Sequence, residues 1–421
     1  MSPKLSIIIT SYNIEKYIGD SIQNVIDQTI SDIEIIIVDD GSSDKTCDII
    51  REYAAKDNRI VPILMGENSP GGVATPANIG IEAATGDYIG FADGDDLYDP
   101  TMFEKLYLSA EINSADIAMC NFMEFESESG LKNAPFEPGW NKLSGISSLD
   151  IRSSDNKKMV LDLLPVPWRK IYKRELLVNN HLLFPVGDYF FEDNGFHWFT
   201  TLNANRVSFV DEILCFHRRN RVGQTMSAGG ERLLGVFHQH EVIYNYLVEK
   251  KLVSEYRDYS LNWLIGHLSW VQQELNPKFS HQFYQIMISH ISKYTQDEVR
   301  KYLASKYYDR KSIELVVCLL RKDEKFFIEI MNGKQSLSIK QKIIFNYYKL
   351  GMVDFILMSI RHLVYKVKGG IKYKHVSNNE LRNLLWQSNE RIERLNSKIN
   401  DLERIIETGF ILTESKLNNK K

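Results

Sequence analysis

Residues 88–96 read YIGFADGDD, and this stretch decides the fold. Residues 88–92 have the apolar texture of a buried strand. Three carboxylates follow within four positions, Asp93, Asp95 and Asp96. Toward the N-terminus two more apolar runs end in polar turns. Residues 5–10 (LSIIIT) run into Ser11-Tyr12-Asn13, and residues 33–38 (IEIIIV) run into Asp39-Asp40-Gly41-Ser42. Helical spacing fills the gaps: Ile18, Ile22, Val25 and Ile26 within 14–29, then 43–55 and 77–84. Residues 60–64 are a further strand and 68–72 a loop. Strand and helix in alternation imply an α/β fold with a mostly parallel, doubly wound sheet. Ligands on such sheets bind at the carboxyl ends of strands, which is where the polar turns fall.

Composition excludes other classes. The chain has 421 residues, with 25% charged and 43% hydrophobic, so it can bury a large core without staples. The net charge of -4 gives no global basic field for nucleic acid. Cys47, Cys120, Cys215 and Cys318 have no metal-ligand spacing and read as reduced thiols of a cytoplasmic protein. The first residues are too polar for a signal peptide, and no window of ~18 apolar residues suggests a spanning helix.

Beyond residue 115 the pattern loosens, with strands expected at 117–122 and 207–217 joined by a stretch rich in Ser, Asn, Gly and Pro. After about residue 230 helices take over, such as 260–274 and 313–321, and their apolar stripes read as packing. Four parts are expected: a catalytic domain over 1–230, a helical domain over 231–375, a coiled coil over 376–410 and a flexible tail over 411–421. Residues 352–374 combine an apolar face with Arg361, Lys366, Lys368, Lys372 and Lys374. This segment is either an interfacial helix on anionic lipid, touching the inner face of the membrane, or a packed helix with a solvated basic edge. Leu381, Leu385, Ser388, Ile392, Leu395, Ile399, Leu402 and Ile406 step by four and three alternately, a coiled-coil seam that predicts a homodimer or homotrimer.

Three carboxylates in four residues repel one another unless solvated or compensated. A divalent cation resolves the conflict, and magnesium or manganese is commonly shared with substrate phosphates. SIIITSYN, VDDGSSDKT, NIGIEAATGDYIGFADGDD and FFEDNGF, in this order, resemble a family 2 glycosyltransferase of the GT-A fold. The resemblance covers residues 5–227 and is strongest to bacterial enzymes that build cell-surface polysaccharide and teichoic acid.

The resemblance implies an inverting transfer from a nucleotide-sugar donor, usually a UDP-sugar, assisted by Mn2+ or Mg2+. It implies that Thr10 and Tyr12 line the nucleobase pocket and that Asp40 accepts from the uracil imide. Capping of the following helix is the other use open to Asp40. Asp95 matches the main metal ligand, with Asp93 on the ribose or on the metal's waters. Asn68 and Asn78 would face the same cleft. Relatives often carry Arg-Asn where this chain has Ala77-Asn78, so one donor-side cation is missing. In the Glu192-Asp193 pair, Asp193 matches the base that takes the acceptor's proton, and Glu192 would orient the acceptor. His217, Arg219 and Arg221 fall in a stretch that closes over the diphosphate, a role to which Arg is suited. Trp168 either stacks on a sugar ring or fills the core.

The acceptor implied is a polysaccharide or a lipid-linked saccharide. Two other functions compete with this reading. A nucleotidyltransferase that makes nucleotide sugars would need a Gly-rich loop after the first strand, and SYNIEKYI has none. A nucleotide-binding scaffold would not need Asp193.

Overall fold

The four expected strands form as β1 (Leu5–Ser11), β2 (Ile33–Asp39), β3 (Ile60–Leu64) and β4 (Tyr88–Asp93). In the computed structural model they pair in parallel in the order β3-β2-β1-β4. Between them lie helices α1 (Ile18–Ile26), α2 (Thr46–Ala54) and α3 (Ala74–Ala83). α1 starts four residues later than its spacing suggests. The backbone N–H groups of Asn13, Ile14 and Glu15 are taken by the side chains of Ser42, Thr46 and Asp44, so residues 13–17 form a turn. α3 begins at Ala74, ahead of the expected 77, and holds Pro76 in its first turn, where a missing N–H costs little.

The structure describes residues 3–126, 129–219, 230–305 and 309–333. All of these lie in one unit, Met1–Gly351. Arg221, the basic segment 352–374, the seam 381–406 and the tail 411–421 lie outside the described residues.

After β4 come β5 (Leu97–Tyr98), α4 (Met102–Asn113), β6 (Ile117–Phe125) and β7 (Lys132–Asn133). Then follow α5 (Pro138–Leu143), β8 (Ser148–Asp150), α6 (Ser154–Leu161), β9 (Lys170–Lys173), α7 (Arg174–Asn179), α8 (Glu192–Asn203) and β10 (Arg206–Arg218). The sheet is mixed. β9 inserts antiparallel between β4 and β6, and β10 runs parallel to β6. Alternate side chains feed two apolar layers. Ile7 and Ile9 face α1, α2 and α4, whereas Ile8 faces α3, α7 and α8.

Among the described residues six α-helices follow: α9 (Val236–Glu249), α10 (Val253–Glu274), α11 (Ser280–Ile291), α12 (Gln296–Ser305), α13 (Arg310–Arg321) and α14 (Glu324–Met331). They bury a core of their own around Leu264, Leu268, Phe283, Val316 and Phe327. A smaller cluster of Leu161, Trp198, Ile243, Leu247 and Tyr256 ties α9 and α10 to α6 and α8. This contact brings one face of α10 beside α6 and α8.

Candidate functional site

Strand register brings the polar turns together. Thr10 lies opposite Asp93, and Ser11 opposite Asp39. The strand ends open into a cleft of ≈ 490 Å³ lined by Thr10, Tyr12, Asp40, Asn68, Asp93 and Asp95. The neighbouring aspartates do different work. Asp39 is spent within the protein, accepting from the hydroxyls of Ser11 and Ser42, the Ser42 N–H and the Cys47 thiol. Burial and this carboxylate push the Cys47 thiol up to about 11. Asp40 accepts from the Asn68 amide and from the Ser69 N–H and hydroxyl, each at 2.9 Å. It therefore holds loop 68–69 and does not cap α2. A carboxylate offers about four lone-pair sites, so capacity remains toward the cleft.

The acidic loop is tied down by distant residues. β5 pairs with β10 through Tyr98–Cys215 and Leu97–Phe216, which brings Asp96 against His217. The His217 Nδ1 lies 2.9 Å from Asp96 Oδ2. The Arg218 N–H donates to Asp96 at 2.8 Å and its Nε donates to the Asp95 carbonyl at 2.6 Å. The Arg218 guanidinium sits between the rings of Tyr17 and Phe125, at 4.8 and 4.7 Å. Burial pushes the Asp96 pKa up, and His217 opposes this. Burial works against the His217 imidazolium, but Asp96, backed by Asp93 and Asp95, outweighs it and lifts that pKa to about 9.

Ligand atoms of Asp93, Asp96 and His217 lie within 4.8 Å of one another. Two hard carboxylates and an imidazole suit a borderline divalent ion such as Mn2+. Asp95, expected as the main ligand, is not in this trio and lines the cleft beside it.

A second cavity, of ≈ 720 Å³, adjoins the cleft at His217, which lines both. Asp193 and Arg219 line it too. Phe191, just before α8, has φ +68°, a left-handed conformation unusual for an aromatic residue. The following pair of carboxylates then serves two places. Glu192 accepts from the Val73 N–H and closes the N-terminus of α3, against Gly72, where an added Cβ would displace the Glu192 carboxylate. Burial raises Glu192 to about 7, although the N–H groups of Val73 and Ala74 favour its anion.

Asp193 faces the second cavity. Burial raises its pKa, opposed by the Lys170 charge and the amide of Asn194, which donates at 3.0 Å. Lys170 Nζ is buried beneath, donating to the carbonyls of Leu164 and Pro165 and to His197 Nδ1.

The structure thus gathers Thr10, Tyr12, Asp40, Asn68, Asp93, Asp95 and His217 at the cleft, and Asp193, His217 and Arg219 at the second cavity. Asn78 does not face the cleft. Its amide is satisfied by both backbone groups of Phe184, at 2.8 Å each. Arg219 is paired with Glu124 at 3.0 Å on the second cavity. Glu192 is used on α3. Trp168 is 4% exposed and stacks on His217 at 4.9 Å.

Sequence reasoning passed over Arg218 and Arg232. Arg232 lines the cleft, its guanidinium 5.0 Å from the Phe190 ring. It brings a cation to the cleft. An exposed Arg in GERLLG carries no local signal.

The family model described as glycosyl transferase family 2 matches residues 6–177. The uncharacterized glycosyltransferase EpsJ of Bacillus subtilis is 36% identical over 220 residues, 52% of this chain and 62% of EpsJ's own length. Glycosyltransferase GlyG of Streptococcus pneumoniae is 32% identical over 54% of this chain and 74% of its own. The poly(ribitol-phosphate) β-N-acetylglucosaminyltransferase TarS of Staphylococcus aureus is 27% identical over 227 residues, 53% of this chain and 37% of TarS. The crystal structure of TarS residues 1–349 with UDP-GlcNAc has the same fold, with a TM-score of 0.63 at 21% identity over 78% of this chain and 91% of that one.

Proposed function

The chain belongs to glycosyltransferase family 2, and from that premise we propose that it transfers a sugar from a UDP-sugar to an acceptor hydroxyl on a cell-surface saccharide, with inversion. The observation that carries this reading is the meeting of two cavities at His217. One has the acidic loop, and the other has a half-buried carboxylate, Asp193. An inverting displacement needs such a division, because nucleophile and leaving group occupy opposite faces of the anomeric carbon. The UDP-GlcNAc held by TarS supports a uridine nucleotide as donor.

In this reading Tyr12, 47% exposed at the cleft, covers the base, and Asp40 accepts from its imide. Asp93, Asp96 and His217, with Asp95 beside them, are the residues that would hold Mn2+ or Mg2+. That ion would act as a Lewis acid on the departing diphosphate. Arg232 adds positive charge on the same side. Asp193 takes the proton from the acceptor hydroxyl as its oxygen bonds to the anomeric carbon. A raised carboxylate pKa suits a general base, since driving force grows as the pKa approaches the working pH.

The test is release of nucleoside diphosphate from UDP-sugars in manganese, with saccharide acceptors added, by wild type and by Asp193→Asn. Turnover that requires the acceptor and fails in the variant is the expected result. A fully active Asp193→Asn would refute the assignment of the base.

A further inference from the structure

Helix α10 presents one continuous face to the second cavity: Tyr259, Asn262, Trp263, Gly266, His267 and Trp270. Steps of three and four keep these residues on one side of a helix. Opposite them stand Trp168, Phe122 and Phe136. Gly266 is exposed at mid-helix, where glycine costs roughly 0.5–1 kcal/mol relative to alanine. A Cβ built on it would meet nothing within 4 Å. Packing therefore does not demand glycine here, and the glycine leaves open a stretch of cavity wall that a long side chain would fill. Trp263 and Trp270 flank this notch, each half-buried, and Trp270 packs edge-on against Phe191 at 5.9 Å. Phe191 immediately precedes the catalytic pair, so the aromatic wall continues to Asp193. Phe136 is 92% exposed, a lone aromatic on the rim.

The charges complete the argument. Glu124, Asp162 and Asp193 contribute carboxylates to the lining. Among the described lining residues, Arg219 is paired with Glu124 and His217 with Asp96. Burial holds His267 neutral, its pKa lowered to about 4. A polyol-phosphate chain, one negative charge per repeat, would find both lining cations engaged, Arg219 by Glu124 and His217 by Asp96, and would lie beside the Asp193 carboxylate, whereas Asp162 is already offset by Lys142 at 3.6 Å. An uncharged sugar has apolar ring faces for indoles and hydroxyls for carboxylates.

We propose that the α10 face is an acceptor subsite for a neutral oligosaccharide, with Trp270, whose ring contacts are edge-on, stacking on a sugar ring beside Gly266, and Trp263, already packed on His267 at 3.8 Å, forming the wall. This rests on the glycosyl-transfer reading and deepens it. It sets this chain apart from TarS, whose name specifies a poly(ribitol-phosphate) acceptor.

Full-length protein is titrated with neutral β-linked glucose, galactose and N-acetylglucosamine oligosaccharides and with poly(ribitol phosphate), reading tryptophan emission. At least one neutral series should bind. Trp270→Ala and Gly266→Leu should each weaken it about tenfold, with the melting temperature of Gly266→Leu at or above wild type. Preference for poly(ribitol phosphate), or equal neutral binding by wild type and both variants, would overturn the proposal. So would turnover of a UDP-sugar with no neutral oligosaccharide bound. Neutral binding that both variants weaken, without any UDP-sugar turnover, would support the subsite while sinking the transferase reading.

Discussion

The two cavities that meet at His217 are built in opposite ways. The nucleotide-side cleft takes half of its lining from the ends of β1, β2 and β4 and the turns after them, where an apolar run gives way to Thr10, Asp40 or Asp93. The second cavity is assembled from scattered stretches between Phe122 and Trp270, and most of its side chains are aromatic or aliphatic. Polar residues at strand ends announce themselves locally. A tryptophan facing a cavity and one facing a core look alike until the fold places them.

The strongest way to break this division is Asp193→Asn. General-base catalysis is worth ~10²–10⁴-fold, so kcat should fall by about that much. Donor affinity should stay within a few-fold, because Asp193 lines the second cavity and not the cleft. Steady-state kinetics with saturating acceptor, beside calorimetric titration of the donor, separate the two. If Glu192→Gln proved the more damaging change, the base would be misassigned.

Next in size is a structural lesion confined to the second cavity. Arg169 and Glu137 form a buried ion pair, 0% and 3% exposed at their side chains, with Arg169 Nη1 donating to Glu137 Oε2 at 2.8 Å. Glu137 also accepts from the Leu164 N–H, fixing the segment 161–166 that lines the cavity. Removing one partner of a buried pair costs roughly 3–5 kcal/mol. Urea unfolding of Glu137→Ala should read a loss of that order, and acceptor affinity should fall with it. A loss below 1 kcal/mol would mean that water reaches the pair.

The contrast also explains what was legible in the sequence. β1 to β4 and their order followed from the period of Ile and Val and the turns after them. β9 did not. Its four residues, KIYK, lack a run of apolar side chains, and only pairing with β4 and β6 makes them a strand. The Asp93–Asp96 cluster was legible as a candidate cation site, but which carboxylate lies beside His217 depends on the β5–β10 pairing, which local sequence does not encode. Asn78 misled because a buried amide that braces Phe184 and one that faces a ligand have the same sequence neighbours. Arg219 sits one residue past β10 and pairs with Glu124 of β6. That partner, 95 residues earlier, was beyond local reading.

Acid should separate the regions more gently. His267 and His290 are buried in the helical region, both with pKa lowered to about 4 from 6.5. Burial is the main cause for each; Glu241 opposes it at His290, and the Trp263 carbonyl at His267. Folding favours the neutral rings, so their contribution is whole above pH 6.5 and is lost as pH falls toward 4. At pH 5.5 each should cost on the order of 1 kcal/mol. Hydrogen exchange between pH 7 and 5.5 should loosen α10 and α11 before β1 to β4. Uniform loosening would show that other groups dominate.

The smallest expected effect tests the cleft's own exception. Arg232 is the one cleft residue among those described that comes from beyond β10, and it stands exposed over Phe190. A cation facing solvent contributes little, because water and salt screen it. Arg232→Ala should therefore weaken UDP-sugar binding only about fivefold, equivalent to ~1 kcal/mol. The loss should shrink as salt rises from 50 to 500 mM, and it should be smaller for uridine than for UDP, since the guanidinium is argued to meet phosphate and not base. Acceptor affinity should not move, because Arg232 lies on the cleft and not among the residues of the second cavity. A loss that is equal for uridine and UDP would place Arg232 against the nucleoside. A salt-independent loss would mean that the side chain acts by packing on Phe190, and the cleft would then need its positive charge from elsewhere.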